Sequence, residues 1–198
     1  MSGIINSTGS KSGVIGQTEE KVGMVHLASL TAASYGSLAF EGYFSSEYDH
    51  YIWYFWVRGA TNNTDAAFRV RADNADRTDG SYRSMGTGGY MGTNSAISWN
   101  TNGAWGGSYG IIGSGDSSNL SRFSCTGQLQ LANPLSTSVH KLWVGNSISW
   151  NSANEPTAMR NYTFTGMYYR TAALSGASFL FIGGNIDGKV SMYGVKNS

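Results

Sequence analysis

Charge is what this chain has least of. Asp, Glu, Lys and Arg make up 13% of its 198 residues, about half the quarter that is usual in soluble domains. No two Lys or Arg residues are adjacent and the net charge is +1, so the basic footprint of a nucleic-acid-binding surface is missing. Cysteine is nearly absent as well: Cys125 stands alone, which excludes an intrachain disulfide framework and a cysteine-rich zinc site. The opening residues do not run from a positive start into an apolar stretch, so they read neither as a signal peptide nor as a membrane span. Long helical stripes, coiled-coil heptads and collagen-like repeats are lacking too.

What the chain does have is a 40% hydrophobic content with 13% aromatics, enough for the core of one domain of this length. The dominant pattern is alternation of period two, the mark of strands buried on one face. AAFRVRAD sets Phe68 and Val70 against Arg69 and Arg71, and SCTGQLQLA sets Cys125, Leu129 and Leu131 against Gln128 and Gln130. HYIWYFWVR is apolar on both faces, with Tyr51, Trp53, Phe55 and Val57 on one and Ile52, Tyr54 and Trp56 on the other. Such a strand needs cover twice, at a sandwich centre or a subunit interface. Eight or so strands joined by turns rich in Gly, Asn and Asp predict two packed antiparallel sheets, an all-β sandwich over residues 22–198.

Residues 1–21 form a separate segment. Gly3, Gly9, Gly13 and Gly16 interrupt it too often for a helix, yet Ile4, Ile5, Val14 and Ile15 are too apolar for a plain linker. Alone it cannot bury enough of itself to offset the entropy of ordering. The expectation is an arm that orders against another polypeptide, adding strand hydrogen bonds while its aliphatic side chains fill pockets and Lys11 lies at the rim. A frayed terminus without a role is the alternative.

Two stretches, 73–109 and 146–161, hold clustered Gly, Ser, Asn and Asp and read as long loops, which in a compact domain tend to be functional or interface-forming. They carry Trp99, Trp105 and Trp150, and a short repeat, NSAISWNT at 94–101 and NSISWNS at 146–152. These aromatics suit either stacking on sugar rings or anchoring a neighbouring subunit.

Catalytic and metal signals are weak. Glu41, Glu47 and Asp49 crowd into FEGYFSSEYDH, and paired carboxylates on a sandwich suggest glycoside hydrolysis. A retaining pair needs carboxyl groups about 5 Å apart across a sugar, which one short stretch rarely supplies. His26, His50 and His140 have no metal-ligand spacing. DNADRTDG, residues 73–80, has acidic spacings that could hold calcium, though an Asx-stabilised turn explains it with fewer assumptions. No cofactor and no metal site is expected.

Three segments carry a resemblance. GSKSGVIG (9–16), the run YIWYFWVRGA (51–60) with FRVRADNADRTDGSYRS (68–84), and the ending FLFIGGNIDGKVSMYGVKNS (179–198) with its Tyr193-Gly194 pair are similar to segments of tail and virion proteins of tailed bacteriophages, including those of marine bacteria. The resemblance implies a jelly-roll domain of the concanavalin-like kind, used without enzymatic activity on the particle exterior as a tail-fibre or spike knob, a tail-adaptor piece or a capsid decoration. It further implies a homotrimer docked on other virion proteins through residues 1–21, with the opposite loops facing host surface glycans. A lectin-like module without a structural role is the second expectation, and a glycan hydrolase using Glu41 or Glu47 the third.

Overall fold

Period-two alternation becomes strands wherever one face can be buried, and the computed structural model of the chain follows that rule. It describes residues 23–61, 64–91, 97–113, 125–150 and 159–196, with the side chains of 90, 91 and 97–105 outside that description. The N-terminal arm of 1–21, with Ile4, Ile5, Lys11, Val14 and Ile15, also lies outside the described residues. In chain order the strands are β1 (Gly23–Tyr35), β2 (Leu38–Glu41), β3 (His50–Gly59), β4 (Ala66–Ala72), β5 (Ala75–Asp76), β6 (Tyr82–Met91) and β7 (Ile97–Gly107). There follow β8 (Gly110–Ile111), β9 (Cys125–Ala132), β10 (Lys141–Trp150), β11 (Met159–Tyr168), β12 (Gly176–Phe181) and β13 (Ile186–Lys196). No helix interrupts them among the described residues.

Two antiparallel sheets result. The larger has eight strands in the order β1-β13-β3-β9-β10-β11-β6-β7; the smaller runs β2-β12-β4-β5, with β8 also paired to β4. The expected all-β sandwich is therefore the architecture observed, with more strands than the eight or so expected. Its core is aromatic: Trp53 of β3 packs its ring against Phe40, Phe68 and Phe179 of the smaller sheet at centroid distances of 6.4, 5.9 and 6.0 Å. Trp143 of β10 meets Phe68 at 5.6 Å, and all five rings are buried. Tilted and edge-on pairs of this kind add to the burial term because ring edges are positive and faces negative.

The stretches read as loops need correction. Residues 82–91 and 97–107 are the hairpin partners β6 and β7, and β10 runs on to Trp150. Gly86 and Gly88 of β6 do not mark turns. A Cβ on Gly86 would stand 2.1 Å from the Tyr162 ring of β11, so glycine there lets an aromatic ring close over the strand. DNADRTDG does turn at its start, where Asp73 and Asn74 take φ of 53° and 59° between β4 and β5, a conformation Asp and Asn tolerate best.

The outer face of the smaller sheet is a network of ions. Arg71 donates to Glu41 Oε2 at 2.6 Å, to Asp76 Oδ1 at 2.5 Å and to the Asn74 carbonyl at 2.6 Å. Arg69 reaches the other oxygen of Asp76 at 3.6 Å, and Ser178 donates to Asp76 at 2.9 Å.

Candidate functional site

Strand β3 was expected to be covered on both faces. Its inward face is: Tyr51, Trp53, Phe55 and Val57 are buried in the sandwich. On its outward face Tyr54 and Trp56 are 43% and 54% exposed. Large aromatics standing open on a sheet face are the informative exception in a folded chain, and they locate the candidate site on the outside of the eight-stranded sheet.

Register decides what stands beside them. Tyr54 is opposite Ser191 of β13 and Gln128 of β9, and Gln128 is opposite Asn146 of β10, which faces Thr163 of β11. The next outward row reads Lys189, Trp56, Thr126, Ile148 and Asn161 over the same five strands. A groove of about 620 Å³ runs across these rows. Its lining mixes two exposed aromatic rings with hydroxyl and amide groups that can both donate and accept hydrogen bonds. Among the described residues Lys189 is its one cation, and neither Asp nor Glu lines it.

The floor of this groove is thin because of glycine. A Cβ on Gly127 of β9 would meet the Phe55 ring at 2.8 Å and the Asn146 carbonyl at 2.2 Å. One on Gly145 of β10 would meet the Phe164 ring at 2.5 Å. Inward aromatic rings therefore fill the space these residues leave, and the strands come closer to the core beneath the groove. A second, more apolar groove of about 410 Å³ lies on the same face nearer the other ends of the strands, lined by Arg83, Met85, Leu142, Thr165 and Met167 among others.

The structure distributes the sequence candidates widely. Trp99 and Trp105 are strand residues of β7, opposite Gly89 and Arg83 of β6, and Trp150 is the last residue of β10. None sits on a loop, and β10 and β7 are separated by β11 and β6, about 14 Å at the usual strand spacing. A single platform of all three is not what the fold builds. Glu41 is on the smaller sheet, across the sandwich from the groove, with Arg71 as its partner. His140 stacks on Tyr169 at 4.3 Å. The carboxylates of 73–80 diverge: Asp73 pairs with Arg77, Asp76 with Arg71, and Asp79 accepts from Tyr168 Oη at 3.0 Å. Although burial alone would raise it, the Asp79 carboxyl is held below its ordinary range by hydrogen bonds from Tyr168 and Ser81 and by the Arg170 charge. Among the described residues no cluster of His, Cys, Asp and Glu is placed to hold a metal ion.

Sequence reasoning missed Gln128, Asn146, Thr163 and Ser191 as one row. The one local signal is the outward aromatic pair of β3, which the sequence pattern places at a sandwich centre or a subunit interface. Comparison with known proteins adds no guide, since no family model, no curated protein and no solved structure matches the chain.

Proposed function

We propose that the chain is a non-enzymatic surface protein whose β-sandwich binds carbohydrate across the outer face of the eight-stranded sheet. The observation that carries this reading is the groove in which exposed Tyr54 and Trp56 are interleaved with Gln128, Asn146 and Asn161, with no carboxylate among the described residues that line it. An apolar ring face matches the C–H face of a pyranose, while amides and hydroxyls match its hydroxyl groups. Orientation by a few polar groups on a mostly apolar lining is the common plan of small-ligand sites. A hydrolase would need an acid and a base within reach of the scissile bond, and the described residues of the groove offer none.

The setting proposed for this activity is the exterior of a tailed-phage particle. The similarity of residues 9–16, 51–60, 68–84 and 179–198 to virion proteins supports it, and the jelly-roll connectivity belongs to the same proposal. Residues 1–21 would dock on other virion proteins, and three copies would assemble. The more apolar groove at Met85, Leu142 and Met167 favours a protein contact on that part of the face, because exposed Met85 and Leu142 dominate it over the polar Arg83 and Thr165.

A glycan array with the whole chain tests the main claim. Selective binding that the Tyr54→Ala/Trp56→Ala double variant loses is the expected result. Uniformly blank arrays with a folded protein would leave only the architectural role.

A further inference from the structure

We propose that the site is a track longer than its groove, crossing the strands at right angles and taking a linear polysaccharide rather than a terminal mono- or disaccharide; this rests on the carbohydrate reading above. The polar row of the groove does not stop at its walls. Beyond Ser191 it continues to Ser29 of β1, and beyond Thr163 to Thr87 of β6. Seven consecutive strands thus present a hydroxyl or amide side chain at the same register position, each exposed or half-exposed.

The connection at the β1 edge is physical as well as positional. Ser191 Oγ, a wall of the groove, lies 2.8 Å from Ser29 Oγ, and Ser29 Oγ lies 2.9 Å from His26 Nε2. Aromatic surface accompanies this chain of hydrogen bonds: Tyr193 meets Tyr54 edge-on at 5.7 Å and His26 at 5.2 Å. The same pairing of ring and hydroxyl that makes the groove therefore extends to the rim of the sheet. Among the described residues no carboxylate orients His26, so this serine–histidine contact is arranged to bind hydroxyl groups and lacks the third member of a nucleophilic relay.

The dimensions and the chemistry select the ligand. Six strand spacings from β1 to β6 span about 29 Å, room for five or so sugar residues laid end to end. A nucleic acid would call for cations along the track, and the two rows supply one, Lys189. A peptide adding as a strand would use a sheet edge, whereas this track crosses the middle of the sheet. A linear, hydroxyl-rich chain fits both the length and the donor–acceptor character.

Calorimetric titration of the whole chain with cello-, laminari-, manno- and agaro-oligosaccharides, from disaccharide to octasaccharide, tests the track. Two variants sit at its ends, outside the groove: His26→Ala/Ser29→Ala, and Thr87→Val, each checked for an unchanged melting temperature. In whichever series binds, affinity should rise at least about tenfold, or about 1.4 kcal/mol, between trisaccharide and hexasaccharide. Each end variant should lower hexasaccharide affinity and leave the trisaccharide untouched. Equal affinity for short and long members, or equal losses for both in the end variants, overturns the track and leaves the groove. Failure of every series to bind removes the carbohydrate reading itself and the track with it.

Discussion

Glu41 is the residue whose sequence context most suggests catalysis, and its replacement by Gln separates a chemical role from a structural one. In the fold its carboxylate accepts from Arg71 Nε at 2.6 Å on the outer face of the smaller sheet, with side-chain exposures of 26% and 15%. Gln keeps an acceptor but loses the charge, and charge-assisted hydrogen bonds are about twice as strong as neutral ones. The new amide N–H would occupy the place of Oε1, which is buried without a hydrogen-bond partner, so the variant also gains an unsatisfied donor. Arg71 retains Asp76 at 2.5 Å, which limits the loss. The expected net cost is about 1–2 kcal/mol, or a fall of roughly 4 °C in Tm for a chain of this size. Differential scanning calorimetry reads that shift, and reducing-end release from polysaccharides should stay at the level of the protein-free blank for both proteins. A melting temperature unchanged within about one degree would mean that the ion pair contributes as little as exposed pairs do. Hydrolysis by the wild type that disappears in the variant would refute the non-enzymatic reading outright.

Other outcomes follow from the same geometry. Trp56→Ala should weaken glycan binding at least about tenfold while changing stability by no more than about 0.5 kcal/mol, because the ring is exposed; Phe68→Ala, which empties a fully buried ring position, should cost about 3–5 kcal/mol in a urea titration. Burial pushes the Tyr162 and Tyr168 hydroxyls up to about 12, with Asp79 adding to the shift at Tyr168. The unfolded chain releases these protons near 10, so this stabilisation is complete below pH 10 and is lost as pH rises from there toward 12, which tyrosinate absorbance and circular dichroism should report together. Gly127→Ala must displace the Phe55 ring or the Asn146 carbonyl and should reduce both Tm and glycan affinity, whereas a loss of neither would show that the groove floor tolerates a side chain. Removal of residues 1–21 should leave a folded sandwich that no longer enters particles, and incorporation of the truncated chain, followed by immunoblotting of purified particles, would defeat the docking role.

Much of the fold was legible because it is written in neighbouring residues. Alternation in AAFRVRA and CTGQLQLA named the buried face of β4 and β9 side chain by side chain, and Phe68, Val70, Leu129 and Leu131 are all at or near zero exposure. The hairpin of β6 and β7 was hidden by composition. Gly, Ser and Asn usually punctuate loops, and here Gly86 and Gly88 are strand residues pressed against Tyr162 and the Asn161 carbonyl. Nothing within residues 82–107 announces those partners, which lie more than fifty residues further along the chain. Local propensity was overridden by a tertiary contact that only glycine permits.

The site was illegible for a different reason. Ser29, Gln128, Asn146 and Ser191 are each ordinary outward residues of a strand, and what joins them to Tyr54 as a unit is the register of β1, β13, β3, β9 and β10. A shift of one residue in any one strand would turn its member of the row inward and put a core residue such as Leu129 outside. The buried aromatic faces forbid that shift, since Trp53, Phe55 and Trp143 must meet Phe68 and Phe179 across the sandwich. The polar row is thus held in line by packing on the reverse side of the same strands. It follows that damage to the core, as in Phe68→Ala, should impair glycan binding only when it loosens register, whereas Trp56→Ala should impair it with the core intact. Amide hydrogen exchange on β9 and β10 in the two variants separates these routes: protection lost together with binding in the first, protection retained while binding is lost in the second.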